Sequence, residues 1–143
     1  MTVKQLSIFV ENKSGRMAEI TERIAEAGID IRALSIADTT NFGILRLIVD
    51  NPDRAEKALK EKGMTVSLTD VIAVEIVDEP GSFAKAVRLL ADHGIDIEYM
   101  YAFICRQHGK ACVIIRVEDN AAAIRVLEEA GVGMLTQDEI YSM

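Results

Sequence analysis

The sequence predicts an α+β fold made of two similar βαββαβ units, each an antiparallel four-stranded sheet with two helices on one face. Three observations lead to this prediction. The chain repeats itself at an offset of 66 to 68 residues, apolar residues recur at strand or helical spacing, and glycines follow the helical segments. Two copies are too few for a solenoid, so we expect two domains, residues 1–69 and 70–143.

The repeat is clearest at a tetrapeptide that occurs twice. Residues 28–31 and 94–97 both read Gly-Ile-Asp-Ile, 66 residues apart. Further along the chain the offset becomes 68, so that Gly63 falls on Gly131. We expect the two extra residues near 105–110, because a surface loop tolerates an insertion.

The first copy opens with a strand and a helix. Residues 5–10 alternate in period two, which predicts a strand with Leu6, Ile8 and Val10 on the side that faces the helices. Gly15 breaks this strand. The next apolar residues recur at spacings of three and four, typical of one helix face: Met17, Ile20, Ile24 and Ala27. Gly28 stands where a helix end favours a residue that tolerates positive φ.

Two strands follow at residues 31–38 and 43–49, joined through Asp38-Thr39-Thr40-Asn41. A second helix opens at Asn51-Pro52, with Asn as its cap and Pro at its first position, and ends at Gly63. A last strand near 64–68 leads through Thr69-Asp70 into the second copy. The second copy repeats this plan as strand 71–77, helix 82–93, strands 97–104 and 111–118, helix 120–130 and strand 132–137. The arrangement predicted for each copy is ferredoxin-like.

The strand faces that point away from the helices carry apolar side chains where a half-exposed sheet would be polar. The second copy presents Tyr99, Tyr101 and Phe103 there, and the third strands add Ile44, Ile48 and Ile114. An exposed apolar patch usually marks an interface. We therefore expect a second chain to cover this face, giving a homodimer. Packing within the monomer is the alternative, and stacking on a cofactor is less favoured.

Charge and composition exclude several functions. The formal charge of −7 at pH 7 leaves no basic patch for nucleic acid. No apolar run approaches the ~18 residues that a membrane span requires. We therefore expect a cytoplasmic protein with neither nucleic acid nor membrane as a partner. Residues 1–69 hold ten basic and ten acidic residues and 70–143 hold six and thirteen, so the two copies need not bind the same ligand.

Cys105, His108 and Cys112 lie close enough in sequence to supply three metal ligands. A structural zinc site uses about four nitrogen or sulfur ligands at short spacings. The sequence therefore favours no metal site, and we expect two reduced thiols that flank a hairpin turn.

A polar turn with a glycine joins the first strand of each copy to its helix. The turns are Asn12-Lys13-Ser14-Gly15 and Asp78-Glu79-Pro80-Gly81. A helix N-terminus has unpaired N–H groups and favours an anion, and glycine lets a ligand approach the backbone. Asn12 and Asp78 could accept a hydrogen bond from an ammonium group, so the turns suit a free amino acid. In the alternative interpretation, Asn12 and Asp78 only cap the helices.

The two turns, each followed by a helix and Gly-Ile-Asp-Ile, resemble the signature of the ACT domain. Over nearly the whole chain the sequence is similar to small stand-alone proteins with two ACT units. The resemblance implies a non-catalytic module without a cofactor that binds a free amino acid between units and regulates a metabolic enzyme or pathway. Backbone groups of the turns would hold the carboxylate, and Asn12 and Asp78, with Asp30 and Asp96, would receive the amino group.

The ligand-binding residues that the resemblance implies are Asn12, Ser14, Gly15, Arg16, Met17, Asp30, Ile31, Asp78, Pro80, Gly81, Ser82, Phe83, Asp96 and Ile97. Ser14 stands where the family usually has proline, and Asp30 and Asp96 stand where it often has asparagine.

Other classes of protein fit the sequence less well. An acylphosphatase-like enzyme would need an arginine-lined phosphate cradle, and the turns offer only Arg16. A metal chaperone of this fold would carry CxxC at the first turn. An RNA-recognition module would carry stacking aromatics on its sheet, whereas here they lie on one strand of an acidic protein. A stronger alternative is a regulatory or structural subunit that binds a partner enzyme and no ligand.

Overall fold

The computed structural model describes residues 1–38 and 40–143, so Thr39 of the expected strand connection lies outside the described residues. In this part of the chain there are seven strands and five helices. The strands are β1 (Val3–Glu11), β2 (Ile31–Asp38), β3 (Phe42–Val49), β4 (Val66–Val77), β5 (Ile97–Phe103), β6 (Lys110–Val117) and β7 (Gly133–Leu135). The helices are α1 (Arg16–Glu26), α2 (Pro52–Lys60), α3 (Ser82–Asp92), α4 (Asn120–Glu129) and α5 (Gln137–Tyr141). No helix within the described residues is long and apolar enough to cross a membrane.

The chain divides into two compact units. The N-unit is Lys4–Thr69, and the C-unit is Asp70–Met143 together with Met1–Val3. Strand order is β2-β3-β1-β4 in the N-unit and β5-β6-β4-β7 in the C-unit. Each order places the first and third strands of a copy at the centre of its sheet, and the predicted ferredoxin-like α+β class is confirmed.

Two predicted elements differ in the structure. The strands expected on either side of Thr69-Asp70 form the single strand β4, because neither residue breaks an extended backbone. The last strand is shorter than the predicted 132–137, since Thr136 begins α5 instead. The Thr136 hydroxyl accepts a hydrogen bond from the Glu139 N–H at 3.2 Å, and the Glu139 carboxylate accepts one from the Thr136 N–H at 2.7 Å. This reciprocal capping box favours a helix over a strand.

Each unit buries its helices against one face of its sheet. In the N-unit, Ile20 and Ile24 of α1 pack with Leu6 and Ile8 of β1, as the helical spacing predicted. The C-unit core contains the equivalent Leu90 of α3 and other apolar residues of α3, α4 and the central strands. Full burial of such a side chain contributes about 1.5–3 kcal/mol to folding. This packing holds each helix against its sheet and therefore fixes the position of the turn that begins the helix.

The expected exposed aromatic patch on the other sheet face is wrong. Ile48 and Ile114 are fully buried in the single chain, Tyr101 is 8% exposed, and Tyr99 and Phe103 are half-buried. A second chain is therefore not needed to cover these side chains. Of the apolar residues predicted on that face, Ile44 is 37% exposed, beside Phe9 at 45%.

The edge strand β2 also carries exposed apolar side chains. Leu34 is 58% exposed and Ile36 49% exposed, although register places them beside the buried Leu47 and Leu45 of β3. They point to the helix side of the sheet, where the helices do not reach the edge strand.

The expectation of two reduced thiols is also wrong for this structure. Cys105 and Cys112 form a disulfide with their Cα atoms 5.3 Å apart, within the usual range for such a bridge. Phe103 of β5 lies opposite Cys112 of β6. Cys105 follows Phe103 by two residues and lies close enough to Cys112 to form the disulfide.

Candidate functional site

The turn between β1 and α1 is held by backbone hydrogen bonds. The N–H of Asn12 donates to the Asn41 carbonyl at 2.9 Å, that of Lys13 to Glu11 at 2.8 Å, and that of Arg16 to Lys13 at 3.3 Å. The Asn12 side-chain amide also donates to the Thr40 carbonyl at 3.2 Å. Asn12 therefore ties the turn to the connection that follows β2.

The C-unit repeats this backbone pattern. The N–H of Asp78 donates to Gly109 at 2.9 Å, that of Glu79 to Val77 at 3.0 Å, and that of Ser82 to Glu79 at 3.3 Å. The two turns, which are similar in sequence, therefore also share the same backbone hydrogen bonds.

Neither α1 nor α3 has a side-chain cap. The residue before each helix is a glycine in the left-handed region, Gly15 at φ 83° and Gly81 at φ 89°. The alternative in which Asn12 and Asp78 cap the helices is therefore wrong. Both helix N-termini keep first-turn N–H groups that a ligand carboxylate would satisfy.

The cations near the first turn have carboxylate partners. Lys13 Nζ lies 2.7 Å from Glu11 Oε2, and Arg16 contacts Glu19 at 3.0 Å and Glu11 at 4.0 Å. The hydrogen bond and charge of Lys13, with a smaller effect from Arg16, lower the pKa of the Glu11 carboxyl from its ordinary 4.5. In the second turn the charged residues are the acids Asp78 and Glu79.

A cavity lies beside each turn, next to the first helix of the copy. The N-unit cavity is ≈ 420 Å³ and the C-unit cavity ≈ 580 Å³. All eleven residues that line the first have counterparts, 66 or 68 positions later, among those that line the second. The C-unit cavity adds Glu79 and Lys110.

The same cavity has different chemistry in the two units. In the N-unit its wall carries Glu11, Arg23 and Lys62 as well as Arg16 and Glu19, which pair with each other. The C-unit has Ser82 and Lys85 at those positions. The ammonium groups of Lys85 and Lys110 make no ion pair among the residues that the structure describes. With the Glu79 carboxylate nearby, both signs of charge face the C-unit cavity, as a zwitterion requires.

Sequence reasoning missed Lys85, Lys110 and Glu79 as cavity residues. Alignment of the two copies could have indicated Lys85, because it aligns with Glu19 and the charge at that helix position is therefore reversed. Lys110 comes from β6 and reaches the site only through sheet pairing with Val77.

The structure separates Asp30 and Ile31 from the turn in their own unit. They follow α1, whose eleven residues span about 16 Å at 1.5 Å per residue, and Gly15 lies at its other end. Asp30 is already engaged, since its carboxylate lies 3.4 Å from Arg32 and its N–H donates to the Asp50 side chain at 3.0 Å.

The remaining sequence-predicted residues lie in several different places. Asp96 and Ile97 follow α3 just as Asp30 and Ile31 follow α1. Asn12, Arg16 and Met17 line a small hollow of ≈ 60 Å³ at the turn, beside the end of β2 and the start of β3. Phe83 packs half-buried against the C-unit core, and Ser14 and Pro80 are exposed at the turn tips.

A family model described as an ACT domain pair matches residues 1–143, the whole chain. The chain belongs to the ACT domain pair family. The resemblance seen in the two turns is thereby confirmed, and this ACT pair has a regulatory fold. No curated protein matches the chain.

Solved structures agree with this assignment. Protein BT0572 from Bacteroides thetaiotaomicron is 44% identical, with 100% of this chain and 98% of that chain covered and a TM-score of 0.94. The regulatory subunit of aspartate kinase from Thermus thermophilus is 24% identical, with 89% and 91% covered and a TM-score of 0.66. That from Thermus flavus is 23% identical, with 90% and 92% covered and a TM-score of 0.59. The likeness to the two kinase subunits is one of fold.

Proposed function

We propose that this ACT pair is a non-catalytic regulatory protein that binds a free amino acid and signals its level to a metabolic enzyme or pathway. The observation that carries the proposal is the C-unit cavity, where Lys85 and Lys110 stand unpaired beside the uncapped N-terminus of α3. Membership in the ACT family supports it, as does the shared fold with regulatory subunits of aspartate kinase.

The proposed ligand pose follows from charge. The carboxylate lies against the first-turn N–H groups of α3, after Gly81, with an ammonium group of Lys85 or Lys110 as its counter-ion. The ligand's ammonium group lies near Asp78 and Glu79, so that Asp78→Ala weakens binding. Apolar wall residues such as Leu89 are left for the ligand side chain.

The two units differ in this proposal. In the N-unit Arg16, Lys13 and Arg23 already have carboxylate partners, so Lys62 alone among the described cations at this turn and cavity is left without an ion pair, against two lysines in the C-unit. We therefore assign the principal site to the C-unit and expect one amino acid per chain.

A homodimer is part of the proposal, with the exposed Leu34 and Ile36 of β2 as the surface that a second copy covers. The proposed location is the cytoplasm, where free amino acids meet the enzymes that make and use them.

A thermal-shift screen of the twenty amino acids tests the function. Binding at 100 times Kd adds about 2.7 kcal/mol to the free energy of unfolding, which gives a clear rise in Tm. A flat response to all twenty would favour the other candidate, a subunit that binds a partner enzyme through the exposed β2 surface and no ligand.

A further inference from the structure

One corner of the C-unit sheet brings a carboxylate and two sulfur atoms together. Ligand atoms of Glu75, Cys105 and Cys112 all lie within 4.8 Å of one another. Glu75 and Cys112 are directly opposite in the pairing of β4 with β6. The Cys105 sulfur lies 3.7 Å from Glu75 Oε2. Strand β4 and the hairpin between β5 and β6, two segments far apart in sequence, thus meet at one point.

The N-unit shows that the fold does not require this cluster. At the equivalent place in the first sheet, Phe9 lies opposite Ile44, and the Phe9 ring packs on Phe42 with centroids 4.8 Å apart. Apolar side chains therefore suffice at this corner. The C-unit has replaced them with Glu75 and Cys112, one acid and one thiol, and its longer hairpin adds Cys105.

The chemistry of the cluster suits a metal ion when the cysteines are reduced. Cys112 is buried and Glu75 and Cys105 are half-buried, so two thiolates and a carboxylate here would repel one another without a cation. Thiolate sulfur with a carboxylate oxygen is a donor set for zinc-class ions, and three protein ligands with an open fourth position are common in zinc sites.

We propose that the reduced C-unit binds one divalent cation of the zinc class through Cys105, Cys112 and Glu75. A dithiol or phosphine reductant gives two electrons to the disulfide, whose sulfur–sulfur bond breaks, and each sulfur takes up a proton. The cation then displaces both thiol protons and binds the two thiolates and the Glu75 carboxylate. The disulfide and the metal complex are therefore alternative states of one site, which shares Glu75 with the wall of the C-unit cavity.

Titration of the phosphine-reduced full chain with Co²⁺ tests the site. We expect thiolate-to-cobalt charge-transfer absorption that saturates at one ion per chain and disappears when Zn²⁺ is added. The oxidised chain gives no such band. A reduced chain without the band, or with equal metal binding in the oxidised state, overturns the proposal.

Variants assign the ligands. Glu75→Gln keeps the shape of the side chain and is expected to weaken Co²⁺ binding by at least about 10-fold, the smaller loss seen when a supporting residue of a metal site is removed. Cys105→Ser and Cys112→Ser, with circular dichroism to confirm folding, abolish the charge-transfer band. His108→Ala, in the same hairpin, is the matched control and leaves affinity unchanged. Loss of binding in His108→Ala with none in Glu75→Gln refutes the proposed ligand set.

Discussion

The guanidinium of Arg16 lies 3.0 Å from the carboxylate of Glu19, and this pair occupies the wall of the N-unit cavity. Their counterparts in the C-unit are Ser82 and Lys85, which cannot form such a pair. The duplicated cavity therefore holds a paired arginine near the start of the helix in the first unit and an unpaired lysine in the second, although Lys62 adds an ammonium group to the N-unit wall. On this difference rests our proposal that the C-unit is the principal binding copy.

Removal of the Lys85 charge should weaken ligand binding. Lys85→Met keeps most of the side-chain volume but loses an ammonium group that would bond a carboxylate, a contact worth about 1.5–3 kcal/mol. We expect Kd for the stabilising amino acid to rise by about 10- to 100-fold in calorimetry. Lys57→Met, on an exposed position of α2, is the control and should bind like the wild type. Equal affinity in Lys85→Met would place the carboxylate elsewhere.

The left-handed backbone at Gly81 should make alanine costly there. An alanine Cβ would meet no atom within 4 Å, so the cost is conformational alone, about 1–2 kcal/mol. We expect Gly81→Ala to lower the free energy of unfolding by that amount in urea titration. Gly81→Asn should lose less, since asparagine tolerates this region better. If alanine and asparagine cost the same, the turn has a different conformation in solution.

The exposed side chains on β2 should control assembly. Leu34→Asp combined with Ile36→Asp places charge on the surface that the proposed homodimer buries, so sedimentation should show a monomer where the wild type is a dimer. Ile104→Asp, at a side chain 89% exposed in the C-unit hairpin, is the control and should leave the dimer intact. A wild type that sediments as a monomer at micromolar concentration would contradict the proposed homodimer.

Lys13 should determine the titration of Glu11. Loss of the Lys13 hydrogen bond and charge in Lys13→Met raises the Glu11 pKa toward 4.5, which NMR titration of the carboxyl carbon would show. Because the folded pKa is lowered, the pair stabilises the fold above the unfolded pKa, and this contribution is lost as pH falls through the folded value. The effect on stability is small because both side chains are exposed to solvent. An unchanged Glu11 pKa in Lys13→Met would assign the shift to another cation.

Local patterns predicted most elements of the fold, because alternation, helical spacing and glycine positions are properties of neighbouring residues. The same patterns indicated which sheet face was apolar but not that Ile114 and Tyr101 would be buried within a single chain, since burial depends on distant segments. The sequence does not predict that β4 is continuous. Thr69-Asp70 lies at the boundary between the two copies, yet neither residue interrupts the strand.

The candidate site was predictable only in part. The sequence predicts both glycine turns directly, because a polar turn with a glycine occurs at the same place in each copy. Lys110 cannot be predicted as a cavity residue because it reaches the site from β6, and no local pattern shows that α1 separates Asp30 from Gly15 within one unit. The meeting of Glu75 with Cys105 and Cys112 likewise depends on the pairing of β4, β5 and β6.

Calorimetric titration with the amino acid that most raises Tm is the decisive test of binding at the C-unit cavity. We expect saturable binding of one amino acid per chain, weakened by Lys85→Met and not by Lys57→Met. Absence of binding by every one of the twenty amino acids would contradict this expectation.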